Sequence, residues 1–101
     1  MRIVGGKFKG HSIAPPHGSA TRPTSDRVRE SVFNILAHGI DGLDLQGARV
    51  LDLFAGTGAM GLEAVSRGAR FCQFVEESAE ARGLIRKNAD ALGVIGLVKI
   101  W

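Results

Sequence analysis

The sequence predicts an α/β fold, a Rossmann-like parallel sheet entered through a basic N-terminal segment. Three observations carry this. From residue 48 onward, apolar runs of strand length alternate with stretches of helical periodicity, the order expected of a doubly wound sheet. A glycine-rich turn, Gly56-Thr57-Gly58-Ala59-Met60-Gly61, separates the first such strand from the first such helix. Residues 1 to 40 differ in composition, being basic and rich in turn signals. Two parts follow: residues 1–40, a basic hairpin, loop and helix, and residues 41–101, the first half of the sheet domain.

Taken in order, Arg2-Ile3-Val4, the turn Gly5-Gly6, and Lys7-Phe8-Lys9 read as a short hairpin with basic residues among apolar ones. Ala14 to Pro23 has loop composition, with Pro15-Pro16 and Arg22-Pro23 and no periodic apolar pattern. A helix fits Asp26 to Ala37, with Thr24, Ser25 and Asp26 as capping oxygens, Val28, Val32, Ile35 and Leu36 on one face, and Gly39 as the stop. Val50 to Phe54 is a compact apolar run interrupted by Asp52, as expected of a strand buried on both faces. Ala59 to Ser66 is helical, Phe71 to Val75 is the second strand, and Glu76-Glu77 closes it. Ser78 caps a helix to about Leu92, with Ala81, Leu84, Ile85, Ala89 and Leu92 inward and Arg82, Arg86 and Lys87 outward. Gly93 stops it, and Leu97 to Trp101 begins a third strand.

The 101 residues, 45% of them hydrophobic, describe one small globular domain. No apolar stretch approaches membrane-spanning length and no signal-peptide core follows Met1, so a cytoplasmic protein without a membrane partner is expected. A single cysteine, Cys72, makes no internal disulfide and has no metal-ligand spacing with His11, His17 or His38, so no metal site is expected. Cys72 reads as core packing and the histidines as surface residues.

Charge is unevenly placed. Residues 1 to 40 hold six basic residues, Arg2, Lys7, Lys9, Arg22, Arg27 and Arg29, against Asp26 and Glu30, a net +4; residues 41 to 101 carry a net −1. Such asymmetry suggests an arm that meets a polyanion. Arg22, Arg27 and Arg29 lie near a helix N-terminus, where the dipole disfavours cations, a placement that suits an external anion. Phe8, between two lysines, either stacks on a nucleotide or packs on the domain.

The glycine loop carries the chemistry. It follows a predicted strand, opens a predicted helix, and has Glu76 twenty residues after Gly56 at the end of the next strand, placed to accept hydrogen bonds from ribose hydroxyls. The ligand is therefore a nucleoside-containing cofactor. A dinucleotide brings a pyrophosphate that needs bare amides and is repelled by a carboxylate. S-adenosylmethionine has no phosphate but carries an ammonium and a cationic sulfur, for which Asp52 is an asset. Asp52-x-Phe54-x-Gly56-x-Gly58 thus favours S-adenosylmethionine. If Asp52 is instead a strand-end acid bonding loop amides, a dinucleotide stays open.

Arg2-Ile-Val-Gly-Gly-Lys-Phe-Lys-Gly, Arg22-Pro-Thr-Ser-Asp-Arg-Val-Arg-Glu-Ser-Val-Phe-Asn-Ile-Leu, Leu51-Asp-Leu-Phe-Ala-Gly-Thr-Gly-Ala-Met-Gly-Leu-Glu-Ala and Phe74-Val-Glu resemble the RsmD-type 16S ribosomal RNA guanine-N2 methyltransferases. The resemblance runs from Arg2 to about Leu92 and implies a class I S-adenosylmethionine-dependent methyltransferase fold. It also implies methyl transfer from S-adenosylmethionine to a guanine exocyclic amine in small-subunit ribosomal RNA or its assembly intermediate. Asp52, Phe54, Ala55, Gly56, Thr57, Gly58 and Glu76 would hold the cofactor, with Thr24 approaching it. Arg2, Lys7, Phe8, Lys9, Arg22, Arg27 and Arg29 would meet RNA. A monomer is expected.

One departure matters. The family resembles other amino-methylating enzymes in an Asp or Asn, two prolines and an aromatic residue after the fourth strand, and no such run occurs here; Pro15-Pro16 lies between Ala14 and His17. An exocyclic amine needs acceptors that align it and an aromatic face that stacks its base. The chain thus reads as a cofactor-binding half truncated after about three strands. No catalytic residue is expected in it, the strand Val50 to Phe54 has an unpaired edge, and the piece is inactive alone. Two other classes remain: an NAD(P)-dependent oxidoreductase fragment and a non-enzymatic RNA-binding module.

Overall fold

The computed structural model of the protein describes residues 1–15 and 25–101. Its elements are α1 (Asp26–His38), β1 (Arg49–Leu53), α2 (Ala59–Ser66), β2 (Phe71–Val75), α3 (Ala79–Ala91), a 3-10 turn (Ile95–Leu97) and β3 (Val98–Ile100). The strands lie in the order β1-β2-β3, all parallel, with Asp52 opposite Phe74 and Phe74 opposite Ile100. This is the expected strand-helix alternation. Ser25 and Ser78 cap α1 and α3 through side-chain oxygens that accept from Val28 N and Ala81 N. No helix among the described residues is long and apolar enough to cross a membrane.

α2 is the centre of the molecule. Seven of its eight residues are buried, because the sheet lies on one side and the N-terminal arm, α1 and α3 surround the rest. Leu62 and Val65 join Ile3, Ile13, Cys72, Phe74, Ile85 and Ala89 in the main core, while Ala64 meets Phe33 of α1 in a smaller cluster.

Three expectations need correction. The N-terminal element is antiparallel, but its second arm is not Lys7 to Lys9. Arg2 bridges Ser12, Ile3 N donates to His11 O and Ile13 N to Met1 O. The intervening residues turn onto the end of α2, where Lys7 N donates to Ser66 O and Phe8 N to Ser66 Oγ. In α1 the inward face is Arg29 and Phe33, while Val28 and Ile35 are 52% and 59% exposed. An ion pair from Arg29 into the core, described below, sets the helix's rotation. Finally, β1 is not buried on both faces. Leu51 and Leu53 are 62% and 55% exposed, since the helices among the described residues all pack on the opposite face, and β1 pairs only with β2 there.

Cys72 is buried in β2. Burial, then the nearby Asp52 charge, pushes its thiol up to about 12. Since the thiolate is the reactive species, a disulfide reagent at pH 8 should leave folded protein unmodified and label it stoichiometrically in denaturant; rapid native labelling would contradict this packing.

Candidate functional site

The carboxyl ends of β1 and β2 open into a cleft of about 290 Å3 lined by Leu53, Phe54, Val75, Glu76, Glu77 and Trp101, where parallel α/β sheets bind ligands. The chain leaves β1 through a strained turn. Phe54 has φ 58, the only positive φ outside glycine among the described residues, and its ring is 93% exposed. A left-handed backbone costs a side-chain-bearing residue about 1–2 kcal/mol, and no burial of the ring offsets it. Such strain belongs with sites. Ala55 N then donates to Val75 O and Gly58 N to Ala55 O, and Gly58, at φ 83, starts α2.

Two carboxylates hold this loop. Glu76 Oε1 accepts from Gly56 N at 2.8 Å and Oε2 from Ser78 N at 2.8 Å. Each oxygen keeps a second lone pair, so a ribose hydroxyl can still be accepted. Arg82 Nη1 donates to Glu76 O and Glu77 O, fixing the turn that presents them. Asp52 Oδ2 accepts from Gly61 N at 3.1 Å, placing a negative charge at the N-terminus of α2, where the dipole favours it. Oδ1 has no hydrogen-bond partner among the described residues. Burial raises the Asp52 pKa above 3.8; the Gly61 bond opposes this and the Glu76 charge adds to it. Asp52 is thus a strand-end acid that bonds a loop amide through Oδ2, the arrangement under which a dinucleotide stays open, while Oδ1 remains available to a cation.

Four of the six amides from Gly56 to Gly61, those of all three glycines among them, are already committed. Gly56 N goes to Glu76, Gly58 N to Ala55 O, Ala59 N to Thr57 Oγ1 and Gly61 N to Asp52. A phosphate seated here would displace these acceptors, two of which are carboxylates.

The structure thus brings Asp52, Phe54, Ala55, Gly56, Thr57, Gly58 and Glu76 together; Thr24 and Arg22 lie outside the described residues. Of the proposed RNA-facing residues, Arg2, Lys7, Lys9 and Arg27 are exposed. Arg29 is not among them. It is fully buried, with Nε on Glu63 Oε1 at 3.1 Å and Nη2 on Asp26 Oδ1 at 2.7 Å and on Arg2 O. The anion it awaited is internal. Asp26 in turn is held below its usual pKa, first by the Arg29 hydrogen bond. Phe8 follows the second of its two readings, packing on the domain: it is half-buried against the core, its ring edge-on to His11 and one face under the Lys7 ammonium.

Four residues that organise the site escaped the sequence reading: Glu63, Arg82, Asn88 and Trp101. A lone acid within the apolar Met60 to Val65 stretch was the available signal for Glu63. Asn88 and Trp101 leave no local signal of these roles, because their partners are distant in sequence.

The comparisons with known proteins agree with this geometry. The family model described as "Conserved hypothetical protein 95" matches residues 1–100. "Ribosomal RNA small subunit methyltransferase D" of Escherichia coli K12 is 43% identical over 90 residues, 88% of this chain and 43% of that protein. The solved structure of yhhF from Escherichia coli superposes with a TM-score of 0.81 at 36% identity, covering 99% of this chain and 50% of that one. A SAM-dependent methyltransferase from Thiobacillus denitrificans, in complex with S-adenosyl-L-homocysteine, gives a TM-score of 0.64 at 26% identity over 79% of this chain and 30% of that one. The chain spans a little under half the length of two curated relatives it matches, 43% and 47%. The fold is that of class I S-adenosylmethionine-dependent methyltransferases, and the chain belongs to the RsmD-type family described as conserved hypothetical protein 95.

Proposed function

We propose that these residues are the cofactor-binding half of an S-adenosylmethionine-dependent methyltransferase that modifies the N2 amine of a guanine in small-subunit ribosomal RNA or its assembly intermediate. The pairing of the three loop-glycine amides, with Asp52 Oδ1 left over for a cation, carries the proposal. A pyrophosphate needs bare amides at a helix N-terminus, and here Gly56 and Gly61 give theirs to Glu76 and Asp52. A phosphate-free, cationic nucleoside fits that donor set. Asp52 Oδ1 takes its ammonium, Glu76 its ribose hydroxyls, and the apolar wall of Leu53, Phe54 and Trp101 its base. When bound, the cofactor supplies an electrophilic methyl group on a cationic sulfur.

Arg2, Lys7, Lys9 and Arg27 form the surface offered to the RNA backbone, with Arg22 beside them in sequence. These 101 residues hold no Asp or Asn followed by Pro-Pro and an aromatic residue, so they bind cofactor without turning RNA over by themselves. With small-subunit RNA as its substrate, the protein would act in the cytoplasm, away from membranes.

Trp101 is the only tryptophan and lines the cleft, so its fluorescence reports occupancy. S-adenosylhomocysteine should change its emission saturably and raise Tm, whereas NADH should not raise Tm; stabilisation by NADH alone would reverse the proposal in favour of an oxidoreductase. Asp52→Asn should weaken S-adenosylhomocysteine binding roughly 10- to 100-fold, the value of a charged hydrogen bond. Because its pKa is raised in the fold, ionised Asp52 costs the unliganded protein stability at neutral pH. Asp52→Asn should therefore hold or raise the unliganded Tm while affinity falls. In the unsubstituted protein, affinity should be full above the Asp52 pKa and fall with acid from a higher pH than an ordinary aspartate gives. Equal affinity in both proteins would remove Asp52 from the site.

A further inference from the structure

Asn88 lies on the inward face of α3 beside Leu84, Ile85 and Ala89, only 4% exposed. A buried amide among apolar residues is stable only when its donors and acceptor are paired. Its Oδ1 accepts from Ala14 N at 2.8 Å, and its Nδ2 donates to Ala14 O at 3.3 Å and to Thr57 O at 3.0 Å. Only one orientation of the amide satisfies all three bonds, since the opposite one would turn an oxygen toward two carbonyls. Both amide hydrogens are spent, and the backbone groups they join are 43 residues apart, counting from Ala14 to Thr57. Thr57 sits between the two glycines of the cofactor loop and is itself 4% exposed.

We propose that Asn88 is a positioning residue that locks the N-terminal arm at Ala14 to the glycine loop at Thr57, so that filling the cofactor cleft is transmitted to the arm bearing the basic surface. The proposal rests on the cofactor reading above. A planar amide bonded to both segments has no free donor with which to let one move independently. Opening of the loop breaks the Nδ2 bond to Thr57 O and leaves the amide held by Ala14 alone, so what holds the loop closed also steadies Asn88 against Ala14. The arm's other polar anchors, Glu63 and Ser66 at residues 4 to 8 and Arg29 at Arg2 O, bypass Thr57. Asn88 is the link that reaches the loop itself.

Amide hydrogen exchange on the full 101-residue chain, with and without S-adenosylhomocysteine, tests this. At about 100 times Kd, a ligand slows exchange roughly 100-fold wherever opening requires its release. The amides of Gly56 and Gly58 should slow by that order, and Ala14 should slow in step with them. In Asn88→Ala, and in Asn88→Asp, which keeps an acceptor for Ala14 N but loses the donors to Thr57 O and Ala14 O, slowing at the loop should persist while the added slowing at Ala14 disappears. Slowing at the loop but not at Ala14 in the unsubstituted protein overturns the proposal and leaves the cofactor reading intact, and this comparison needs no variant to fold. Ala14 slowing that survives in either folded variant overturns it as well. No slowing anywhere removes the cofactor reading, and this inference with it.

Discussion

Glu63→Ala should lower the stability of this fold by about 3–5 kcal/mol, the loss expected when one partner of a buried ion pair is removed. Glu63 is fully buried in α2 and is the common acceptor of four groups from three parts of the chain. Val4 N and Gly5 N from the arm donate to its two oxygens at 3.0 Å, Arg29 Nε from α1 at 3.1 Å, and Arg67 Nε from the end of its own helix at 2.9 Å. Without it, Arg29 keeps Asp26 and Arg2 O but loses its fully buried counter-charge, and two arm amides lose their acceptors. Since small domains retain about 5–15 kcal/mol in total, the variant should sit near its unfolding transition at room temperature. Urea denaturation followed by far-UV circular dichroism measures this, and a loss below about 1 kcal/mol would mean that the network contributes far less than its burial implies. Arg67→Ala should cost less, because Arg67 is 14% exposed and its departure leaves Glu63 paired with Arg29.

The second large effect belongs to Gly61. A Cβ at this position would lie 2.3 Å from Phe74 Cε1 and 2.6 Å from Cys72 Sγ, both on fully buried residues of β2. Helix and sheet touch here at backbone distance, the use expected of the third glycine in such a loop. Gly61→Ala should cost about 1–3 kcal/mol by overpacking, and Gly61→Val more. The displaced helix carries the Gly61 amide away from Asp52, so S-adenosylhomocysteine affinity should fall with stability. Gly83→Ala is the control: nothing lies within 4 Å of its Cβ position, and it should stabilise α3 by about 0.5–1 kcal/mol. Comparable Tm values for Gly61→Ala and Gly83→Ala would refute the close-packing role of Gly61.

These two positions mark the boundary of what was legible in the sequence. Gly61 was visible as part of a glycine loop between a strand and a helix, and its packing role follows from that context. The strands and helices were legible for a similar reason: their periodicity, their capping serines at 25 and 78, and their stops at Gly39 and Gly93 are local signals. Glu76 was found because a fixed spacing links it to Gly56, and the two are joined by a hydrogen bond.

The basic N-terminal residues show the opposite case. From charge alone, Arg29 is one more cation beside Arg27, and only its docking against α2 reveals that its anion is Glu63, 34 residues away. That pairing turns α1 so that Val28 and Ile35 face outward, against the apolar periodicity. Likewise Lys7 to Lys9 would pair as a hairpin arm if local preference decided, but Ser66 takes the amides of Lys7 and Phe8 instead.

By itself, then, the amino-acid sequence determined the order and kind of elements, the glycine loop with its two acids, and the family. The tertiary structure alone decided which charges face water, which face of α1 is buried, that the amides of the three loop glycines are already paired, and that Asn88 joins the arm to the loop. The division has a physical cause. Turn chemistry, capping and periodicity act over a few residues and leave a pattern in the chain, whereas a buried polar group must be satisfied by whatever the fold brings within 3 Å of it, from any distance in sequence.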